Sequence, residues 1–216
     1  MSPLFNWSAR KTATETATMS PPPARIVETL STSRALPKFL SALASRPEPV
    51  LLDLGPVVGA NVSFFGDRLA CKILIEDLYE DVAAAARRGS TEGLAESLVT
   101  RVTDAIPDSI TAVLCWDLFD YLDRPSARAL GACLSGALRP KGVLHGLFGT
   151  TSVDLDHRTR FIVQSEATMK CRSEPGPTIH RHALQTGEIS KLFPGLTVVE
   201  SVLLQNKTRE SLFRKT

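Results

Sequence analysis

The sequence predicts an α/β protein built on an open, mostly parallel sheet, with helices on both faces and an antiparallel strand pair at the C-terminal end. Three observations predict it. Between residues 49 and 149, apolar runs of strand length alternate with amphipathic runs of helical length, the pattern of a parallel sheet with crossover helices. The first apolar run, Pro49-Val50-Leu51-Leu52, leads into Asp53-Leu54-Gly55-Pro56-Val57-Val58-Gly59-Ala60-Asn61, a glycine turn that opens a helix. The last two apolar runs, 196–204 and 210–214, flank a polar turn and read as paired strands.

The elements follow in order. Residues 24–45 carry apolar positions at helical spacing, at Ile26, Val27 and Leu30 and again at Leu36, Phe39, Leu40 and Leu43. Ser31-Thr32-Ser33 interrupts them, and Ser33 is a cap for a second helix that tolerates Pro37 in its first turns. Arg46-Pro47-Glu48-Pro49 stops that helix. A strand at 49–53, a helix at 60–69 and a strand at 71–76 come next. Asp81 to Arg88, with four consecutive alanines, is a helix. Residues 91–102 fit either a helix through Leu94, Leu98 and Val102 or a short strand at 98–102. Residues 104–108 form a turn and 110–116 a strand. Residues 125–138 form a helix halted at Arg139-Pro140-Lys141-Gly142, and 143–148 form a strand. Residues 150–186 are polar and irregular, with one strand at 159–164. A short helix begins at Thr186.

The 216 residues suffice for one domain with a sizeable core. The net charge of +2 comes from interspersed signs without a long basic run, so nucleic acid is not an expected partner. No apolar stretch approaches the ~20 residues of a membrane span. Cys71, Cys115, Cys133 and Cys171 are widely spaced with no Cys-x-x-Cys pair. That spacing points to free thiols in a reducing, cytoplasmic setting. Residues 1–23, rich in Ser, Thr, Ala and Pro, read as a disordered tail. Residues 24–216 form the domain.

A strand, a glycine turn and a helix start suit a nucleotide-type ligand, because the helix N-terminus offers unpaired N–H groups. Gly55 permits a sharp turn at the strand's end, and Gly59 a close approach to the first helical turn. Glu76-Asp77 follows about 20 residues later, where doubly wound folds place a ribose-hydroxyl acceptor.

Four segments together resemble the class I S-adenosylmethionine-dependent methyltransferases, a Rossmann-like family. They are Val50 to Gly55 with Gly59, the acidic pair Glu76-Asp77, Val113 to Leu122, and Leu138-Arg139-Pro140-Lys141-Gly142-Val143-Leu144. The resemblance covers about 49–149 well and 186–214 more loosely. It implies S-adenosylmethionine as cofactor, with Asp53, Gly55, Gly59 and Asn61 in the glycine loop at its amino-acid end. Glu76 or Asp77 would accept the ribose hydroxyls, Asp104 would contact the adenine, and Trp116 and Asp117 would flank the methyl donor. The methyl acceptor, a small molecule or a protein, is unidentified, and residues 150–186 would form its site or a lid. Where the family commonly has a glycine, this chain has Val57, so Pro56-Val57-Val58 puts side chains where the cofactor normally comes close. A non-catalytic binding or scaffold protein is therefore one alternative, and a nicotinamide-dependent oxidoreductase another.

Other features read more plainly. His180 and His182 share a face if extended, but two ligands with no third do not make a zinc site. His145 is a near-core side chain. No catalytic base is legible.

Overall fold

A computed structural model describes residues 27–106 and 109–216; the tail expected at 1–23 lies outside the described residues. The elements are β1 (Glu28–Thr32), α1 (Leu36–Ala44), β2 (Val50–Asp53), α2 (Gly59–Leu69), β3 (Lys72–Ile75), α3 (Tyr79–Arg88), α4 (Leu94–Ala105) and β4 (Ile110–Trp116). A 3-10 turn (Leu118–Tyr121) leads to α5 (Arg124–Ala137), β5 (Leu138–Gly149), β6 (Val153–Ser165), β7 (Thr168–Arg181), α6 (Thr186–Ile189), β8 (Leu196–Leu203) and β9 (Thr208–Lys215). The main sheet has the order β3-β2-β4-β5-β9-β8. β3, β2, β4 and β5 run parallel, and β9 pairs antiparallel with both β5 and β8. The expected sheet, with its antiparallel end, is present.

Both faces of the sheet are covered, which explains why β4 is buried throughout and, apart from Thr111, apolar. Its residues alternate between two cores. Val113 and Cys115 pack with α3, α4 and α5. Ala112, Leu114 and Trp116 pack with α1 and α2 on the other face. A strand buried on both sides reads as a continuous apolar run.

Two expectations are corrected, and one left open between helix and strand is decided. Residues 28–32 are a strand, not a helix, because β1 pairs antiparallel with β7, a partner some 140 residues away that local periodicity does not register. Residues 94–105 are wholly helical, so no strand forms at 98–102 and Asp104 lies in the last turn of α4. Residues 153–181 are two long strands, where the sequence offers one short strand in irregular chain. Their polar character has a structural cause: the three-stranded sheet β1-β7-β6 is half-exposed and laced with ion pairs, such as Arg160 with Glu174 at 2.9 Å and Arg172 with Glu28 at 2.6 Å. Its apolar side, through Phe161, Val163 and Met169, joins the core beneath α1 and α2.

One buried carboxylate joins the two sheets. Glu210 of β9 is fully buried. It accepts hydrogen bonds from the Ser33 hydroxyl and from the backbone N–H groups of Arg34 (2.8 Å) and Ala35 (3.2 Å), and it pairs with His145 Nε2 at 2.9 Å. Those donors sit where β1 gives way to α1. An anion there suits the positive end of the helix. The Ser33 hydroxyl in turn accepts from Leu36 N–H at 2.8 Å, although the N-cap residue of α1 is Ala35.

The His145 partnership and the other donors hold the Glu210 carboxyl below its ordinary value of 4.5. A depressed folded-state pKa contributes stability above the unfolded value, and that stability is lost as pH falls through the folded one. Glu210→Ala is expected to lose about 1–3 kcal/mol, the cost of leaving the buried Ser33 hydroxyl and the Arg34 and Ala35 N–H groups without their acceptor. Chemical denaturation at pH 7 checks the loss. The wild type should also lose stability below pH 4.5 more steeply than Glu210→Gln does.

Candidate cofactor cleft

The chain leaves β2 toward β3 on one side and leaves β4 toward β5 on the other. A crevice forms where such connections diverge, at the C-terminal ends of the two strands. Leu54 and Gly55 leave β2 there, and Trp116 and Asp117 end and follow β4. They border a narrow cleft whose water-accessible volume is about 30 Å³, closed on its remaining sides by Pro56, Val58, Asn61, Tyr79, Arg158, Thr159 and Phe161.

Trp116 sets the shape of this cleft. Its backbone turns into the left-handed region, with φ at 48°, and its ring stacks on Phe161 with centroids 5.2 Å apart and planes 5° from parallel. The indole Nε1–H donates to Asp53 Oδ1 at 2.6 Å, and Gly55 N–H donates to the same oxygen at 2.9 Å. A Cβ on Gly55 would lie 2.7 Å from the indole. The glycine is therefore required by the tryptophan as much as by the turn. Burial pushes the Asp53 carboxyl up to about 6, against the two hydrogen bonds, which lower it.

Asn61 holds the small sheet over the cleft. Its amide Nδ2 donates to the Phe161 carbonyl at 3.0 Å, and its Oδ1 accepts from Val163 N–H at 2.8 Å. One side chain on the first turn of α2 thus satisfies two backbone groups of β6, as a neighbouring strand would. Arg160 adds a contact to the Val57 carbonyl at 3.4 Å.

At the rim, both acids after β3 face arginines. Glu76 pairs with Arg101 of α4 at 2.7 Å, and Arg101 also holds Asp81 at 2.5 Å. Asp77 accepts from Tyr79 N–H at 3.2 Å and lies 3.6 Å from Arg158 of β6. Arg158 is shared with Glu80 at 3.2 Å and Glu174 at 3.6 Å. The Tyr79 hydroxyl is buried in the cleft wall without a hydrogen-bond partner. Burial pushes it up to about 12.

Asp117 receives a hydrogen bond from the Tyr121 hydroxyl at 3.0 Å, and burial pushes its carboxyl up to about 6. Behind it, Asp120 accepts from Gly149 N–H at 2.6 Å, and its other oxygen is buried without a partner. Burial, then the neighbouring Asp117, raise Asp120 well above the ordinary carboxylate range.

The structure thus brings Gly55, Asn61, Trp116 and Asp117 to the cleft wall and places Asp53 directly beneath. Glu76 and Asp77 stand at the rim behind their arginines. Gly59 is exposed beyond the cleft, with open space where a Cβ would go. Asp104 is exposed on α4, away from the cleft, because the strand that would have positioned it is a helix. Val57 is 65% exposed and does not line the cleft; Pro56 and Val58 do. Sequence reasoning missed Tyr79, Arg158, Thr159 and Phe161. Only Phe161, apolar within the strand expected at 159–164, carried a sequence signal.

No family model matches the chain, and no curated protein matches it. Solved structures do resemble it. The 1,6-didemethyltoxoflavin-N1-methyltransferase of Burkholderia thailandensis, with bound S-adenosylhomocysteine, has 18% identity and a TM-score of 0.48, over 85% of this chain and 77% of that one. An S-adenosylmethionine-dependent methyltransferase from Clostridium acetobutylicum has 13% identity and a TM-score of 0.46, over 82% and 91%. DesVI of Streptomyces venezuelae has 15% identity and a TM-score of 0.46, over 85% and 93%. At these distances the likenesses assign no chemistry to this chain, and the sheet order stands on its own strand pairings.

Because its pKa is raised, ionised Asp53 costs stability as pH rises through about 6. Asp53→Asn keeps the acceptor oxygen without the charge. It is expected to melt at or above the wild type at pH 8, with the difference vanishing near pH 4. Thermal melts at the two pH values check this.

Proposed function

We propose that this protein is an S-adenosylmethionine-dependent methyltransferase whose cofactor binds in the cleft between the ends of β2 and β4. The observation that carries the reading is the position of that cleft. The divergence of the parallel strands and the glycine turn from the sequence meet there. Polar groups suited to the cofactor surround it. Asp117 and Thr159 line it, and Asp77 stands at its rim. Asp77 is the better ribose acceptor of the acidic pair, since Glu76 is committed to Arg101 at 2.7 Å and Asp77 meets Arg158 only at 3.6 Å.

The bound cofactor would supply an electrophilic methyl group on sulfur. The work of this chain is then orientation and exclusion of water. Trp116, fixed by Asp53 and Phe161, forms one wall. Asp117 forms the part of the wall beside it, and the β6–β7 hairpin, tied down through Asn61, serves as a lid with the acceptor admitted along it.

A second reading, a non-catalytic binding protein, is favoured by one observation. The Trp116 ring lies over Gly55 in the space beside the loop, and the lid is strapped across by Arg158. Titration calorimetry and thermal melts with S-adenosylhomocysteine, S-adenosylmethionine and NAD separate the readings. The methyltransferase reading expects stabilisation by the first two of about 2.7 kcal/mol at a hundredfold excess over Kd, and none by NAD. No response at millimolar cofactor would leave the binding-protein reading. Because Val57 points to solvent, Val57→Gly should bind either adenosyl ligand within about twofold of the wild type, a difference below 0.5 kcal/mol. A large gain in affinity would return Val57 to the role of obstruction.

A further inference from the structure

We propose that the wall of the cleft at Asp117 is a seat for an organic cation, so that the acceptor this cleft selects is an amine. Asp117 is the one acidic side chain lining the cleft; among the described residues no Lys, Arg or His pairs with it within 4 Å, and the charge of Arg181 reaches it only from beyond that distance. Its side-chain partner is a neutral hydroxyl, that of Tyr121 at 3.0 Å. The one cation lining the cleft, Arg158, lies within 4 Å of three carboxylates, those of Asp77, Glu80 and Glu174. It therefore brings no free positive charge to a ligand.

The remaining surroundings suit the same chemistry. Trp116 and Phe161, stacked on each other, line the cleft, and Tyr79 beside them lies under the Arg158 guanidinium at 5.6 Å and meets Tyr121 edge to face at 5.5 Å. Aromatic faces around a carboxylate attract alkylammonium and sulfonium groups, through the ring quadrupole and the charge together. An anionic ligand would find repulsion at Asp117 and no uncommitted arginine or lysine in the lining. The cation has two sources, the ammonium of an acceptor and the sulfonium of the cofactor; both rest on the methyltransferase reading, whereas the seat itself does not.

The test uses the full chain and three probes that share one ring: benzylamine, benzyl alcohol and benzoate. Each is titrated calorimetrically, alone and with S-adenosylhomocysteine added. Benzylamine is expected to bind about tenfold or more tightly than either other probe, and Asp117→Asn to abolish that preference. The amide keeps the oxygen that Tyr121 uses, and Asp117→Ser replaces it should the amide variant not melt cooperatively. A parallel arm compares S-adenosylmethionine with its neutral counterpart S-adenosylhomocysteine. Loss of a preference for the former in Asp117→Asn, with the amine probes indifferent, makes the sulfonium the seated cation. An amine preference without binding of either adenosyl ligand keeps the seat while the methyltransferase reading fails. Equal binding of the three probes together with no sulfonium preference overturns the proposal, as do preferences that survive in both Asp117 variants.

Discussion

A carboxylate with no access to water must be answered by donors, and the packing around Glu210 is that answer. It sits on β9, the one reversed strand of the main sheet, beside β5 and its His145. The donors it gathers come from the far end of the sequence, at the junction of β1 and α1. A charge buried this deeply is tolerated only when its hydrogen bonds are complete. The C-terminal strand pair therefore fixes where the first helix starts. It also fixes where β1 lies, and with β1 the small antiparallel sheet.

That small sheet forms the roof of the cleft. β1 anchors β7, β7 anchors β6, and β6 reaches the first turn of α2 through the Asn61 amide. The contact is specific because an amide side chain offers one donor and one acceptor in a fixed plane, matching the alternation of a strand edge. The ion pairs of Arg158 continue the same closure toward β3 and α3. The roof is thus joined to the elements that border the cleft, and the glycine turn and the hairpin form two sides of it.

Within the cleft, Trp116 and Asp53 depend on each other. The indole N–H needs an acceptor because it is buried, and the Asp53 carboxylate needs donors for the same reason. Gly55 supplies the second donor and, by lacking a Cβ, the room for the ring. Three residues from two strands that are distant in sequence therefore form one unit. Their identities are constrained by contact, whatever ligand occupies the space above them. The carboxyls of Asp53 and Asp117 are both raised to about 6 by burial.

The sequence by itself determined the parallel sheet, the glycine turn at its centre and the acids after the next strand. Each is written in a local signal: an apolar run, a residue without a Cβ, a charge at a strand's end. It also singled out Gly55, Asn61, Trp116 and Asp117, all of which reach the cleft wall, because short loops at strand ends cannot stray far from the crevice. Only the tertiary structure decided that residues 28–32 are a strand, since that strand exists through pairing with β7. It decided that Asp104 rides on a helix, that Asn61 serves the roof, and that Val57 turns outward while Val58 turns in. It supplied Tyr79, Arg158 and Phe161, which share the cleft through contacts between segments about 80 residues apart. The physical reason is common to all of these. Periodicity and propensity describe what a segment can bury, whereas partners and facing directions depend on surfaces that meet only after the chain has folded.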